Sequence, residues 1–173
     1  MQNNDILRRL RYIFDLSDDK MMKAFAEGGM NATRADVSSW LKREEDEDFK
    51  SLYDKHLATF LNGFIIMKRG RREGPQPKAE KTLNNNLILR KIKIALNFKD
   101  EDILGVLKLA DFRLSKHELS AFFRKPTQSQ YRLCLDQVLR RFLQGLQLHF
   151  REEDSDLIRE EILREEIREK RKN

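Results

Sequence analysis

The sequence predicts an all-helical protein: two homologous four-helix repeats packed with pseudo-twofold symmetry, followed by a charged helical tail. Three observations predict it. Gly and Pro are scarce, at 7 and 3 of 173 residues, 37% of residues are charged and Phe dominates the aromatics, a composition that favours helices over strands separated by turns. An offset of 82 aligns residues 3–69 with 85–151 without a gap, and 13 of the 67 pairs are identical, against roughly four expected by chance. Apolar residues recur three and four apart in both copies, as a helix face requires. With 39% hydrophobic residues the chain can bury a sizeable core.

The first helix of each repeat is expected to follow Asn3 and Asn4, or Asn85 and Asn86, whose side chains can accept from the free amides of a first turn. Its stripe is Ile6, Leu7, Leu10, Ile13 and Phe14, matched by Ile88, Leu89, Ile92, Ala95 and Leu96. The second helix begins near Asp18 or Asp100, buries Met21, Met22 and Phe25 or Ile103, Leu104 and Leu107, and in the first copy stops at Gly28 and Gly29. The third follows Thr33 or Ser115, each with an acid three residues on, Asp36 or Glu118, a variant of the capping box. Its buried face is Val37, Trp40 and Leu41, or Leu119, Phe122 and Phe123.

The fourth helix is expected to be the longest, with an apolar series from Phe49 through Leu52, Tyr53 and Leu57 to Ile65 and, in the second copy, from Tyr131 through Cys134, Leu135 and Leu139 to Leu146. Gly63 and Gly145 fall in mid-helix, where each costs about 1 kcal/mol relative to Ala. Their recurrence indicates a close helix contact. The boundaries are then 1–70 for the first repeat, 71–83 for a flexible connector containing Gly74, Pro75 and Pro77, 84–150 for the second repeat and 151–173 for the tail. Glu and Arg three or four apart in the tail support an exposed helix.

The segments NNDILRRLRYIF, SSWLKREEDEDF, FLNGFIIMKRG, NNNLILRKIKIA and FLQGLQ resemble the YehS-like family, small bacterial cytoplasmic proteins built from two copies of a domain of unknown function. The resemblance covers roughly residues 1–150 and leaves the charged tail outside. It implies a bacterial, cytoplasmic, helical protein and brings no catalytic residues with it.

The formal charge of +6 is unevenly spread: residues 1–70 hold 12 basic and 12 acidic side chains, residues 84–150 hold 12 and 6. A basic second repeat suits RNA or DNA, or an acidic protein. The residues expected to contact nucleic acid are Arg71, Arg72, Arg90, Lys91, Lys93, Arg124, Lys125, Arg140 and Arg141. Arg8 and Arg90 are identical in the two copies, as are Asp54 and Asp136, so Arg8 is expected to pair with Asp54 and Arg90 with Asp136, fixing how the first helix crosses the fourth. The second and third helices have the spacing of a helix-turn-helix, a weak signal that many bundles share.

Nothing in the sequence supports catalysis. There is no phosphate-cradling Gly loop, nucleophile elbow or dinucleotide fingerprint, and the two aspartates lack a third partner for acid–base work. His56, His117, His149 and Cys134 show no metal-ligand spacing, and no cofactor is expected. A single cysteine and the lack of an export signal point to a reducing, cytoplasmic setting, and no apolar run approaches the roughly 18 residues of a membrane span. The reading is a non-catalytic binding protein that contacts nucleic acid through the second repeat and connector. The alternative is a protein-interaction adaptor using the inter-repeat groove and the tail. Oligomeric state stays open.

Overall fold

Short-range polar chemistry sets several helix starts. Ser17 accepts from the Lys20 amide, Thr33 and Asp36 form a reciprocal capping box, Asn84 accepts from the Leu87 amide and Ser115 from the Glu118 amide. The computed structural model, which describes residues 1–173, contains α1 (Asn3–Ile13), α2 (Asp18–Glu27), α3 (Arg34–Leu41), α4 (Asp54–Arg69), α5 (Asn85–Leu96), α6 (Asp100–Leu109), α7 (Lys116–Phe122), α8 (Asp136–Phe150) and α9 (Ser155–Lys172), with a 3-10 turn at Glu152–Asp154. No helix is long and apolar enough to cross a membrane.

One core of 31 buried residues runs through both repeats, so each copy completes the other. α4 packs along α5 and α8 along α1: the first helix of each repeat lies against the fourth helix of its neighbour, as a pseudo-twofold exchange requires. The α4–α5 seam is much the more extensive. Within each repeat the fourth helix crosses the second at its glycine, Gly63 beside the Ala24 carbonyl and Gly145 beside the Val106 carbonyl. The recurrent glycines do mark close helix contacts.

Two expectations about boundaries are corrected. Asn3, Asn4, Asn85 and Asn86 are not caps preceding the helices; they lie inside the first turns and their amides reach across the fold. The fourth helices start later than their apolar pattern suggests, at Asp54 and Asp136; the residues before them form no regular structure, and Tyr53 and Leu135 are extended. Buried Asn4 is the reason: its Nδ2 donates to the Trp40 and Lys50 carbonyls, both at 2.9 Å, and its Oδ1 accepts from the Leu52 amide at 3.0 Å. Asn86 does the same to Phe122, Arg132 and Cys134. Side-chain bonding to three backbone groups holds each segment straight where helical bonding would otherwise compete. The repeated asparagine pair is thus a repeated clamp.

The tail is not a free helix. α9 docks on α8, burying Ile158 and Ile162 against Ala110 and Leu148 in a satellite cluster apart from the main core. The connector has no regular helix, yet Glu80 reaches Lys91 at 2.9 Å and the Leu83 amide donates to Asp54 at 2.9 Å.

Cys134 is buried in the main core, and desolvation pushes its thiol up to about 12. An unfolded thiol ionises near 9, so above that pH the unfolded state loses a proton the native state keeps. Stability should be unaffected below pH 9 and fall between pH 9 and 12 by about 1 kcal/mol per unit. Comparison of urea unfolding for the parent and Cys134→Ala across that window checks it; identical pH dependence would refute the assignment.

Candidate anion-binding site

The matched arginines and aspartates do not pair as expected. Arg8 donates to the Lys42 carbonyl at 2.7 Å and pairs with Asp5, while Arg90 donates to the Phe123 carbonyl. Asp54 instead accepts from Asn3 at 2.7 Å and from the Leu83 amide, and Asp136 from Asn85 at 2.7 Å and from the Met1 ammonium at 2.8 Å. Residues 1 and 83 are themselves related by the 82-residue offset, so each aspartate ties its own repeat to the start of the other. The Asn85 bond, followed by the nearby ammonium, holds the Asp136 carboxyl below the usual carboxylate range. Identity in both copies marked coupled residues without naming the neighbour each reached.

The nine cations of the predicted nucleic-acid face divide into two groups. Five are met by acids: Arg71 by Glu27, Lys91 by Glu80, Lys93 by Asp100 at 2.7 Å, Arg140 by Glu165 at 3.9 Å and Arg141 by Glu166 at 3.7 Å. Arg141 is also buried, so it cannot serve as a surface contact in this state. Arg72 and Lys125 are exposed, Arg90 bonds only a carbonyl and Arg124 only Gln130. The helix-turn-helix reading fares no better: Arg34 is held by Asp18 and Asp19, Lys116 by Glu101, and α3 and α7 are only 8 and 7 residues long.

Of those four, Arg90 meets Lys93 and a cation outside the nine, Arg69, around Phe123. A pocket of about 440 Å³ at the α4–α5 seam is lined by Arg69, Arg90, Lys93, Ile94, Asn97, Phe98 and Phe123. Lys93 Nζ lies 4.5 Å from the centre of the Phe123 ring and the Arg90 guanidinium 5.9 Å from it, so the ring orients both cations by its negative face. Of the three cations only Lys93 has an acidic partner. Asn97 ends α5 in the left-handed conformation, which turns Phe98 back toward the pocket. Arg124 and Lys125 follow Phe123 directly along the chain. Such a pocket can hold a phosphate, with apolar surface beside it for a base or sugar.

At the pseudo-twofold equivalent of this pocket the arginine is engaged. There Arg151, the counterpart of Arg69, lies 4.2 Å over the Tyr12 ring, donates to the Tyr12 carbonyl and approaches Asp15 at 3.8 Å. Ile94 and Asn97 replace Tyr12 and Asp15 in the second copy, so neither a ring nor a carboxylate draws Arg69 in. Arg69 and Phe98 were not among the sequence-predicted residues. The identity of Arg69 with Arg151 under the offset was the signal that could have found the first.

A second, larger concavity of about 820 Å³ lies between α1, α8 and α9, lined by Arg8, Arg9, Arg43 and Arg140 and also by the carboxylates Asp5, Glu44, Glu45 and, from α9, Glu161 and Glu165. Its charges are mixed, and the α9 carboxylates occupy the neighbourhood of the arginines.

Comparison with known proteins adds family and no activity. A family model described as a protein of unknown function, DUF1456, matches residues 3–70 and again residues 85–152. The chain is also similar to the uncharacterized protein YehS of Escherichia coli (strain K12), with 41% identity over 147 residues that cover 84% of this chain and 94% of that protein. No solved structure matches the chain.

Proposed function

The chain belongs to the DUF1456 family of proteins of unknown function, and from that premise we propose that it is a non-catalytic binding protein that contacts nucleic-acid phosphates through Arg69, Arg90 and Lys93. The observation that carries this reading is the gathering of cations on an aromatic floor with a single acid among them. Arg124, Lys125 and Arg72 extend the positive surface, and phosphate contacts of this kind position a protein on its ligand without reading bases. An adaptor role has one observation in its favour: Leu163 and Ile167 on α9 stay largely exposed. Salt decides between them, because phosphate neutralisation releases counterions.

The test is fluorescence anisotropy of the full chain with labelled RNA, single-stranded DNA and duplex DNA at low and near-physiological salt. Parent protein should bind with a steep salt dependence. The Arg69→Gln, Arg90→Gln, Lys93→Gln triple variant should bind at least about tenfold more weakly, its log K against log salt slope shallower by about 2. No binding at low salt, or binding that ignores the triple variant, would refute the reading.

A further inference from the structure

We infer that the groove between α1 and α8 is a second phosphate-contacting surface, and that α9 occupies it with glutamates standing where phosphates would lie. This rests on the nucleic-acid reading above. The cations are Arg9 from the first repeat and Arg140 and Arg141 from the second, and all three face α9. Glu161 meets Arg9 at 2.6 Å, Glu165 meets Arg140 at 3.9 Å and Glu166 meets Arg141 at 3.7 Å. Across the pseudo-twofold, Arg9 corresponds to Lys91, but Arg140 and Arg141 correspond to Ala58 and Thr59. α8 therefore carries two arginines that the duplicated helix does not need for the fold.

α9 satisfies those arginines incompletely. Two of its three ion pairs are longer than the 2.7–2.9 Å of a charge-assisted bond, and Arg141, 3% exposed, has an Nη1 with no hydrogen-bond partner. A guanidinium with five donors held by one carboxylate at 3.7 Å is poorly compensated for its burial. The apolar footing is equally slight: Ile158 and Ile162 alone, outside the main core. The family match ends at residue 152, before α9 begins. A helix so attached opens at lower free energy than the body that it covers. Its release would uncover Arg9, Arg140 and Arg141 with the amides of Gln144 and Gln147, which now donate to Glu161, Glu165 and Asp154. A polyphosphate backbone offers the same repeated anionic oxygens as the glutamate face.

The full chain carrying Ile158→Gln and Ile162→Gln releases the footing without changing net charge. With a fluorescein-labelled oligouridylate as probe, that variant should bind about tenfold more tightly than the parent at near-physiological salt, with a salt slope steeper by about 2. Hydrogen exchange should speed up along α9 and stay slow in α4 and α8. Adding Arg9→Gln, Arg140→Gln and Arg141→Gln should erase the gain. A second variant, Glu161→Gln, Glu165→Gln, Glu166→Gln, should also bind more tightly than an equal charge change on the outer face, Glu152→Gln, Asp156→Asn, Glu160→Gln, whose side chains are exposed. Unchanged affinity with freely exchanging α9 amides, α9 amides that stay protected, or equal gain from the outer-face control would each overturn the inference. Parent binding that depends on Arg69, Arg90 and Lys93 with no gain on release refutes the covered groove alone; absence of binding by every form refutes the parent reading as well.

Discussion

Replacing Asn4 with Ala should destabilise the protein by about 3–5 kcal/mol, and replacing Asn86 should do nearly the same. Each buried side chain satisfies three backbone groups: a carbonyl in the last turn of α3 or α7, and a carbonyl and an amide in the segment before α4 or α8. Truncation to Ala strands all three, and an unsatisfied buried group costs about 1–3 kcal/mol. Partial wetting of the Lys50 and Arg132 carbonyls keeps the total below the full sum. The clamp also joins the end of α3 to the start of α4, so its loss loosens the packing of α1 on both. Asn4→Asp keeps the acceptor but turns a charged oxygen on two carbonyls, and should be at least as harmful. Urea unfolding measures this as a fall in midpoint at unchanged slope. A loss under about 1 kcal/mol at both positions would show that water satisfies these groups as well as the asparagine does.

That clamp also shows which features can be read from the sequence and which cannot. The duplication, the stripes of α1, α2, α5 and α6 and the Thr33–Asp36 box depend on residues a few positions apart, and all were legible. Asn4 acts over 36 to 48 residues, and a side chain able to cap a helix is equally able to donate across a fold. The apolar pattern of Phe49, Leu52, Tyr53 and Leu57 fits helical spacing, but Leu52 is buried while Tyr53 is 69% exposed, as extended backbone alternates. Arg8 and Asp54 failed as a pair for the same reason: recurrence marks residues under a shared constraint without naming their partners.

The candidate site follows the same division. Arg90 and Lys93 were named from charge in the second repeat, and the structure gathers them with Arg69 and Phe123. The neutralisation of Arg140 and Arg141 by α9 was invisible, because it joins two arginines read as nucleic-acid contacts to a tail read as an exposed helix. Net charge by segment therefore overstates the free positive surface of the second repeat. The useful quantity is how many cations remain after internal pairing; Arg90 is one of these, and it meets Arg69, equally without an acid, at the α4–α5 seam where α4 ends.

Gly63→Ala should cost about 2 kcal/mol or more, although Ala is the better helix former. A methyl placed at Gly63 would lie 1.5 Å from the Ala24 carbonyl oxygen and 2.5 Å from its carbon, and 2.9 Å from the Gly28 nitrogen. These are backbone atoms of α2, which no rotamer change can move aside. The helices must separate, and overpacking of that kind costs about 1–3 kcal/mol or more, against about 1 kcal/mol gained in propensity. Gly145→Ala meets the Val106 carbonyl at 2.1 Å and should behave alike with a slightly smaller loss. Gly105, in mid-α6 with nothing within 4 Å of the added methyl, supplies the contrast: Gly105→Ala should stabilise by about 0.5–1 kcal/mol. Unfolding midpoints of the three variants check the set, and a Gly63→Ala protein as stable as the parent would mean that α2 and α4 are free to move apart. If they are not, the substitution displaces α4 along its whole length, Arg69 shifts away from Arg90 and Lys93, and polyanion affinity should fall in the same variant that loses stability.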